Sequence, residues 1–280
     1  MSRVVVVTDS SANVPAHLVQ QLDIRVVPIL LALNGRTFRD GLDVTAQQVY
    51  QWLRTSKHLP TTSAPSIGDF LRVYATAAQE ASDIVSIHLS PKLSATYKVA
   101  RAASQLVDDA TIRVINSQTV AMGQGFVAVA AARAAAGGAD LEGVVARAEQ
   151  VSSKMNVLAT LDTLEYLHRG GRIGGGAAVL GTLLQIKPVL FVTDGHVDLF
   201  ARPRTKSKAI RIMMEQLTNA AGGGSLHVAV FHADVPKEAE ALRNRIATDL
   251  ECDELYVTEM TPIMGAHTGP GVLGVVFYAE

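Results

Sequence analysis

The run Val4-Val5-Val6-Val7, which passes directly into Thr8-Asp9-Ser10-Ser11, decides the fold class. Four successive β-branched residues predict a strand that is buried on both faces, as in a parallel sheet covered by helices. A helical pattern at residues 15–21 follows, and an apolar run at residues 26–33 predicts a second strand. This alternation of strands and helices predicts an α/β protein.

The alternation continues through the first half of the chain. Thr45 with Gln48, and Ser66 with Asp69, form capping boxes that mark the starts of two helices. The pattern predicts helices at residues 46–57, 68–80, 94–107, 120–136 and 140–153, and strands at residues 84–89 and 112–115.

The second half of the chain has a different pattern of predicted elements. Asp194-Gly195, between apolar runs at residues 189–193 and 197–201, is a strong hairpin signal and predicts antiparallel pairing. Two closing strands are predicted at residues 255–260 and 272–278. We therefore predict two domains, residues 1–158 and 159–280, with a ligand between them. The first has a mostly parallel sheet with flanking helices, and the second is an α/β domain with a mixed sheet.

Composition excludes several classes of protein. The 280 residues carry 25 Lys and Arg against 26 Asp and Glu, and a net charge of -1 gives no general attraction to nucleic acid. Neither a signal-peptide pattern nor an apolar run of about 18 residues is present, so we expect a soluble, cytoplasmic protein without stable membrane insertion. Cys252 is the only cysteine, and His232 with Asp234 lack a third ligand, so no disulfide and no metal site are expected.

Three segments rich in hydroxyl groups are candidates for a binding site. Thr61-Thr62-Ser63 precedes a predicted helix, and Ser94-Ala95-Thr96 follows a predicted strand and opens a helix. His267-Thr268-Gly269-Pro270-Gly271 lies between the two closing strands and is expected to be a loop. Hydroxyls, an imidazole and the free N–H groups of helix starts would together suit an anionic head group. Ordinary turns and helix caps are the alternative interpretation of each segment.

A hydrolase hypothesis joins Ser94, His267 and Asp9 into a catalytic triad. The sequence contains no G-x-S-x-G motif to expose a nucleophilic serine, which argues against it.

Six motifs, in order along the whole chain, resemble the DegV family. They are residues 8–11 (TDSS), 62–66 (TSAPS), 90–97 (SPKLSATY), 164–173 (LEYLHRGGRI), 186–190 (IKPVL) and 267–271 (HTGPG). The resemblance implies a two-domain α/β protein of the DegV-like (EDD) fold that binds a long-chain fatty acid. It also implies similarity to the acyl-carrying subunits of bacterial fatty acid kinases, which present the acid to a separate ATP-dependent kinase and so serve phospholipid metabolism.

Carried over to this sequence, the resemblance implies which residues bind the fatty-acid carboxylate. They are Thr62, Ser63, Ser94, Ala95, Thr96, His267 and Thr268. Two positions depart from the family pattern: Ala64 stands where Gln is common, and Ala95 stands where Gly is common. A Cβ at residue 95 limits how closely the backbone approaches a ligand.

The resemblance further implies that Arg172 and Arg204 dock the kinase. It implies no catalysis by this chain alone and no cofactor besides the bound fatty acid. Two other hypotheses remain open from the sequence. One is a lipid-acting serine hydrolase or acyltransferase that uses Ser94 and His267, and the other is a lipid sensor or carrier that has no kinase partner.

Overall fold

The structure is a computed structural model that describes residues 3–56, 58–173, 186–222 and 224–280. The strands are β1 (Val4–Asp9), β2 (Arg25–Val27), β3 (Leu30–Leu33), β4 (Arg36–Arg39), β5 (Thr61–Ser63), β6 (Asp83–His88), β7 (Thr111–Asn116), β8 (Asn156–Thr160), β9 (Val189–Thr193), β10 (His196–Ala201), β11 (Leu226–His232), β12 (Cys252–Glu259) and β13 (Leu273–Ala279). The helices are α1 (Ala16–Gln21), α2 (Ala46–Thr55), α3 (Ile67–Ala78), α4 (Thr96–Ser104), α5 (Met122–Ala136), α6 (Leu141–Lys154), α7 (Glu165–Arg169), α8 (Lys206–Ala221), α9 (Pro236–Asp249) and α10 (Pro262–Thr268).

The first sheet is parallel and buried on both faces, as the opening valines predict. Its strand order is β2-β1-β6-β7, and all three strand pairs are parallel. Val4 and Val6 join the core on the side of α5 and α6, whereas Val5 and Val7 join the core that includes side chains of α3 and α4. Alternate residues therefore fill two different helix layers.

The second sheet is mixed, as predicted. Its order is β10-β9-β8-β13-β11-β12, and the pairing is antiparallel except between β11 and β12. Asp194 and Gly195 form the turn of the β9–β10 hairpin with φ values of 47° and 74°, so the hairpin prediction is confirmed. Helices α5 and α6 also contact β13, which places this helix pair between the two large sheets.

A third, three-stranded sheet was not predicted. It is antiparallel, with the order β4-β3-β5. The sequence predicts one strand over residues 26–33, and this is wrong. Arg25–Val27 pairs in the first sheet, whereas Leu30–Leu33 pairs in the third. Pro28 lies between them, and its missing N–H ends the ladder there.

The segment before the last strand is also not the predicted loop. Residues 262–268 form the helix α10, with Pro262 in the first turn and Gly269 after its end at a φ of 73°. These are the usual start and stop residues of a helix. His267 therefore lies in the last turn of a helix, whose apolar residues Ile263, Met264 and Ala266 are buried.

The predicted boundary between residues 158 and 159 falls within β8. Residues 156–160 of that strand all pair with β13. One continuous apolar core also includes Val6 from the first sheet and Phe231 from the second. The division into two domains stays a prediction.

Within the described ranges, no helix is both long enough and apolar enough to cross a membrane.

Candidate functional site

An apolar cavity of about 200 Å³ is lined by residues from both halves of the chain. Leu89 and Val120 contribute from the first half, and Val157, Leu190 and Phe231 contribute from the second. These walls are aliphatic or aromatic, so they offer an apolar guest contacts in place of water.

One region of the cavity wall is polar, and it gathers the predicted head-group residues. The predicted head-group residues that line the cavity are Thr62, Ser63, Ser94, Ala95, His267 and Thr268. Ala64, which was not predicted to bind the carboxylate, lines it as well. Thr96 is not part of the wall. It is fully buried, and its Oγ1 lies 2.9 Å from Oγ of Ser94. Assignment of these residues to a carboxylate stays a prediction.

Thr62 and His267 are in direct contact. Oγ1 of Thr62 lies 2.7 Å from Nε2 of His267. Strand β5 fixes Thr62 through its pairing with Leu31, and the last turn of α10 fixes His267. A hydroxyl and an imidazole separated by 205 residues in sequence thus form one hydrogen-bonding unit.

The imidazole of His267 is neutral at pH 7. Burial, and to a smaller extent the positive charge of Arg172, lower its pKa to about 4. One ring nitrogen of the neutral form donates and the other accepts.

Gly170 lies against the imidazole, a role that its sequence motif alone does not reveal. A Cβ at this position would lie 2.9 Å from Nδ1 of His267 and 3.1 Å from the carbonyl oxygen of Tyr166. Only a residue without a side chain permits this approach of the ring. The pair Gly170-Gly171 within the motif at residues 164–173 was the available signal.

Arg172 lines the cavity and is half-buried. Its Nε donates to the carbonyl oxygen of Leu93 at 3.3 Å, and its Nη1 donates to that of Gly170 at 2.5 Å. The side chain is therefore held against the polar end of the cavity. Arg204, in contrast, is exposed just before α8. The docking role of both arginines stays a prediction.

The hydroxyls of Ser94 and Thr268 have partners of their own. Oγ of Ser94 is engaged with Thr96, as described above, and Oγ1 of Thr268 donates to the carbonyl oxygen of Met264 at 3.0 Å. Ser63 and Ala95 are exposed, so this end of the cavity lies close to the surface.

Asp9 does not join Ser94 and His267. It is fully buried, and its Oδ2 accepts hydrogen bonds from Nδ1 of His88 at 2.8 Å and from Nε2 of Gln124 at 2.9 Å. His267 is paired with Thr62, and Ser94 with Thr96. The triad of the hydrolase hypothesis is therefore not assembled.

Among the described residues, no group of three or more His, Cys, Asp or Glu side chains is arranged to hold a metal ion.

The fold and the site define an α/β protein with an apolar cavity that ends at hydroxyls, a neutral imidazole and a guanidinium. No Asp or Glu is found among the described residues that line this cavity. The chain belongs to the DegV family. The model of that family, described as "Uncharacterised protein, DegV family", matches residues 3–280.

Relatives and solved structures match over nearly their whole lengths. A DegV domain-containing protein of Streptomyces coelicolor is 37% identical over 279 residues, which cover 99% of each chain. A DegV family protein from Thermus thermophilus, whose structure is described as showing fatty acid binding, matches with a TM-score of 0.94 and 35% identity over 99% of this chain and 100% of that one.

Two more structures have the same fold. DegV from Bacillus subtilis, described as a fatty acid binding protein, matches with a TM-score of 0.92 and 29% identity over 100% of both chains. A stearic acid-binding protein from Eubacterium ventriosum matches with a TM-score of 0.87 and 25% identity over 98% of this chain and 97% of that one. These matches confirm the predicted family and fold class.

Proposed function

We propose that this protein binds a long-chain fatty acid. The tail lies in the apolar cavity, and the carboxylate is held by the hydroxyls of Thr62 and Ser94, with His267 acting through its bond to Thr62. The observation that carries this proposal is the Thr62–His267 pair in the polar region of the wall of a mostly apolar cavity. Relatives with the same fold are described as fatty acid-binding proteins, which supports the same ligand class here.

The tail provides most of the binding free energy. Each methylene group removed from water contributes about 0.8 kcal/mol. A tail of roughly 16 carbons therefore gains on the order of 12 kcal/mol, before the costs of ordering the chain are subtracted. Tight binding then follows without a covalent bond.

The head group needs donors, because a carboxylate that leaves water without hydrogen bonds costs several kcal/mol. Nε2–H of neutral His267 donates to Oγ1 of Thr62, which leaves the Thr62 hydroxyl hydrogen free to donate to the carboxylate. Ser94 donates from the facing loop. The guanidinium of Arg172 adds a positive charge nearby, which stabilises an anion at this end of the cavity.

The exposed position of Ser63 and Ala95 suits delivery of the acid to a partner. In a separate ATP-dependent kinase, a carboxylate oxygen of the bound acid attacks the γ-phosphorus of ATP, so that acyl phosphate and ADP form. This chain then acts as the acyl-carrying subunit, Arg172 and Arg204 face the kinase, and the product enters phospholipid metabolism.

The ligand is tested by mass spectrometry of an organic extract of the purified protein. We expect a long-chain fatty acid at close to one per chain, and an extract without acyl lipid would contradict the proposal. A reactive serine probe addresses the hydrolase alternative. We expect no label on Ser94, whereas covalent labelling would identify it as a nucleophile.

The kinase step is tested separately. Arg204→Ala should abolish acyl-phosphate formation with an ATP-dependent partner kinase while the affinity for fatty acid stays unchanged. The exposed neighbour Arg202→Ala is the matched control. Full acyl-phosphate formation by Arg204→Ala would exclude the docking role, and no transfer by the wild type with any such kinase would favour a carrier that acts without one.

A further inference from the structure

We propose that Asp40 is a positioning residue of the head-group site. Its carboxylate caps the N-terminus of α10 and thereby holds His267, at the other end of that helix, against Thr62. This inference rests on the proposed fatty acid binding, but its main test does not require a ligand.

Asp40 is buried, with 2% of its surface exposed, and its Oδ1 accepts a hydrogen bond from the backbone N–H of Ile263 at 2.9 Å. Ile263 lies in the first turn of α10, where backbone N–H groups have no partner within the helix. Thr261, the residue that precedes the helix, makes no capping bond with its side chain. The cap is therefore supplied from a distant part of the chain.

The charge of Asp40 suits this position. A carboxylate next to the N-terminus of a helix is favoured by the aligned peptide dipoles, in addition to the hydrogen bond itself. Helix α10 has only seven residues, which is about two turns, so a shift of its first turn is transmitted to His267 in its last.

The three-stranded sheet positions both ends of α10. Thr62 lies on β5, opposite Leu31 of β3, and bonds to His267 at the C-terminal end of the helix. Asp40 follows directly after β4, whose Arg39 lies opposite Leu30 of β3. The distance between the two points that hold α10, Asp40 and Thr62, is therefore set by the register of the strands and does not depend on a flexible loop.

Helix α2 holds α10 from the side. A Cβ at Gly265, in the middle of α10, would lie 2.7 Å from Cε1 of Tyr50, so the two helices are in close contact. With the side of α10 fixed in this way, the Asp40 cap and the Thr62 bond set the position and rotation of its two ends.

The groups around Asp40 shift its pKa in both directions. Burial raises the pKa of Asp40 to about 6, and the neighbouring carboxylate of Asp9 acts in the same direction. The hydroxyls of Ser10 and Thr261 and the N–H of Ile263 lower it. Glu259 lines the same cavity as Asp9 and Asp40. The cap is at full strength only where Asp40 is ionised, so the site is best ordered above about pH 6.

The test compares Asp40→Ala with Asp140→Ala. Asp140 caps α6 by accepting from the N–H of Gly143 at 2.9 Å, so its loss removes a carboxylate cap from a helix away from the site. We expect Asp40→Ala to raise the pKa of His267, measured by NMR in ligand-free protein, from about 4 toward 6.5. Its affinity for palmitate should fall at least tenfold, and Asp140→Ala should change neither quantity.

A second variant separates capping from packing. Thr261→Asp places a carboxylate at the capping position of α10 itself. The double variant Asp40→Ala/Thr261→Asp should recover the His267 pKa and most of the palmitate affinity. If the double variant folds and recovers neither, the capping role is excluded.

If Asp40→Ala does not fold, Asp40→Asn provides the test. The amide keeps an acceptor for the Ile263 N–H but lacks the negative charge, so above pH 7 the His267 pKa should rise and the palmitate affinity should fall together, each by less than in Asp40→Ala. No change in either quantity would contradict the capping role. A loss of palmitate affinity in this variant without a change in the His267 pKa would overturn the proposal. Wild-type protein that binds no palmitate would instead refute the proposed function, and the His267 titration would still decide whether Asp40 positions the imidazole.

Discussion

Oγ1 of Thr62 and Nε2 of His267 lie 2.7 Å apart in the wall of an apolar cavity, although 205 residues separate them in sequence. The bond joins the small three-stranded sheet to helix α10. It also leaves one hydroxyl hydrogen free for a ligand oxygen when the imidazole donates. The packing of the sheet against α10 therefore creates the donor that the proposed function requires.

Thr62→Val tests the pair without changing the shape of the side chain much. The loss of one hydroxyl leaves His267 without its partner and the carboxylate without a donor, at a cost of about 1–3 kcal/mol. Affinity for palmitate, measured by titration calorimetry, should therefore fall by roughly 5- to 150-fold. Thr61→Val, on the same strand but exposed and outside the cavity wall, should change it by less than about twofold. Equal affinities of the two variants would contradict the assignment.

Gly170→Ala tests how closely the backbone must approach the imidazole. The added methyl group would lie 2.9 Å from Nδ1 of His267, so the ring must move away. We expect weaker palmitate binding and a rise of the His267 pKa toward 6.5. Gly222→Ala is the control, because the nearest atom there is 3.7 Å from the added methyl. Unchanged binding by a folded Gly170→Ala variant would show that ring position is unimportant.

His267 and Asp40 should give the unfolding free energy opposite dependences on pH. The pKa of His267 is lowered from 6.5 to about 4 by burial and by Arg172, so the unfolded chain binds the proton first and stability falls as pH falls through this window. The pKa of Asp40 is raised from 3.8 to about 6 by burial, so the folded chain binds the proton first and stability rises as pH falls from 6 toward 4. Each contribution is at most about 3 to 3.5 kcal/mol.

Urea unfolding between pH 4 and pH 7 separates the two contributions. Asp40→Asn removes the stabilising uptake of a proton, so its free energy of unfolding should fall more steeply on acidification than that of the wild type. His267→Gln should show the reverse. Parallel pH profiles of Asp40→Asn and the wild type would mean that the Asp40 carboxyl is not shifted.

Ala159→Phe tests the tail cavity independently of the head group. Ala159 lies on β8 in the cavity wall, opposite Leu190 of the neighbouring strand. A phenyl group occupies space that a long tail needs, so the affinity for an 18-carbon acid should fall at least tenfold relative to an 8-carbon acid. Competition with a fluorescent fatty acid measures both affinities. If both fall equally, or neither falls, the tail lies elsewhere.

The sequence correctly predicted helix starts that depend on interactions between residues close together in the chain. The capping boxes of Thr45 with Gln48 and of Ser66 with Asp69 are both present, and each starts a helix where expected. These signals depend on residues that are three positions apart, so the sequence alone contains them.

The incorrect predictions concern segments whose structure depends on contacts with residues far away in the sequence. The run at residues 26–33 has one apolar pattern but belongs to two sheets, because Pro28 interrupts the ladder. Helix α10 was predicted as a loop, since glycines after residue 267 dominate its local pattern. Pro262 was the overlooked signal of its start.

The sequence named residues of the cavity wall but not their geometry, and their role in binding stays a prediction. Motifs named Thr62, Ser94 and His267, and the cavity wall contains all three. Nothing in the sequence indicates that Arg172 donates to the carbonyl oxygen of Leu93 or that Gly170 lies against the imidazole. Nor does it indicate that Asp40 accepts a hydrogen bond from the N–H of Ile263. Such contacts join residues far apart in the chain and arise only after the sheets and helices have packed.

The most direct measurement is NMR of the protein loaded with palmitate that carries ¹³C at its carboxyl carbon. We predict a single bound resonance that stays ionised to lower pH than the free acid and that shifts when Thr62→Val or His267→Ala is introduced. A carboxyl resonance that titrates like the free acid, or that is identical in the wild type and both variants, would contradict the account.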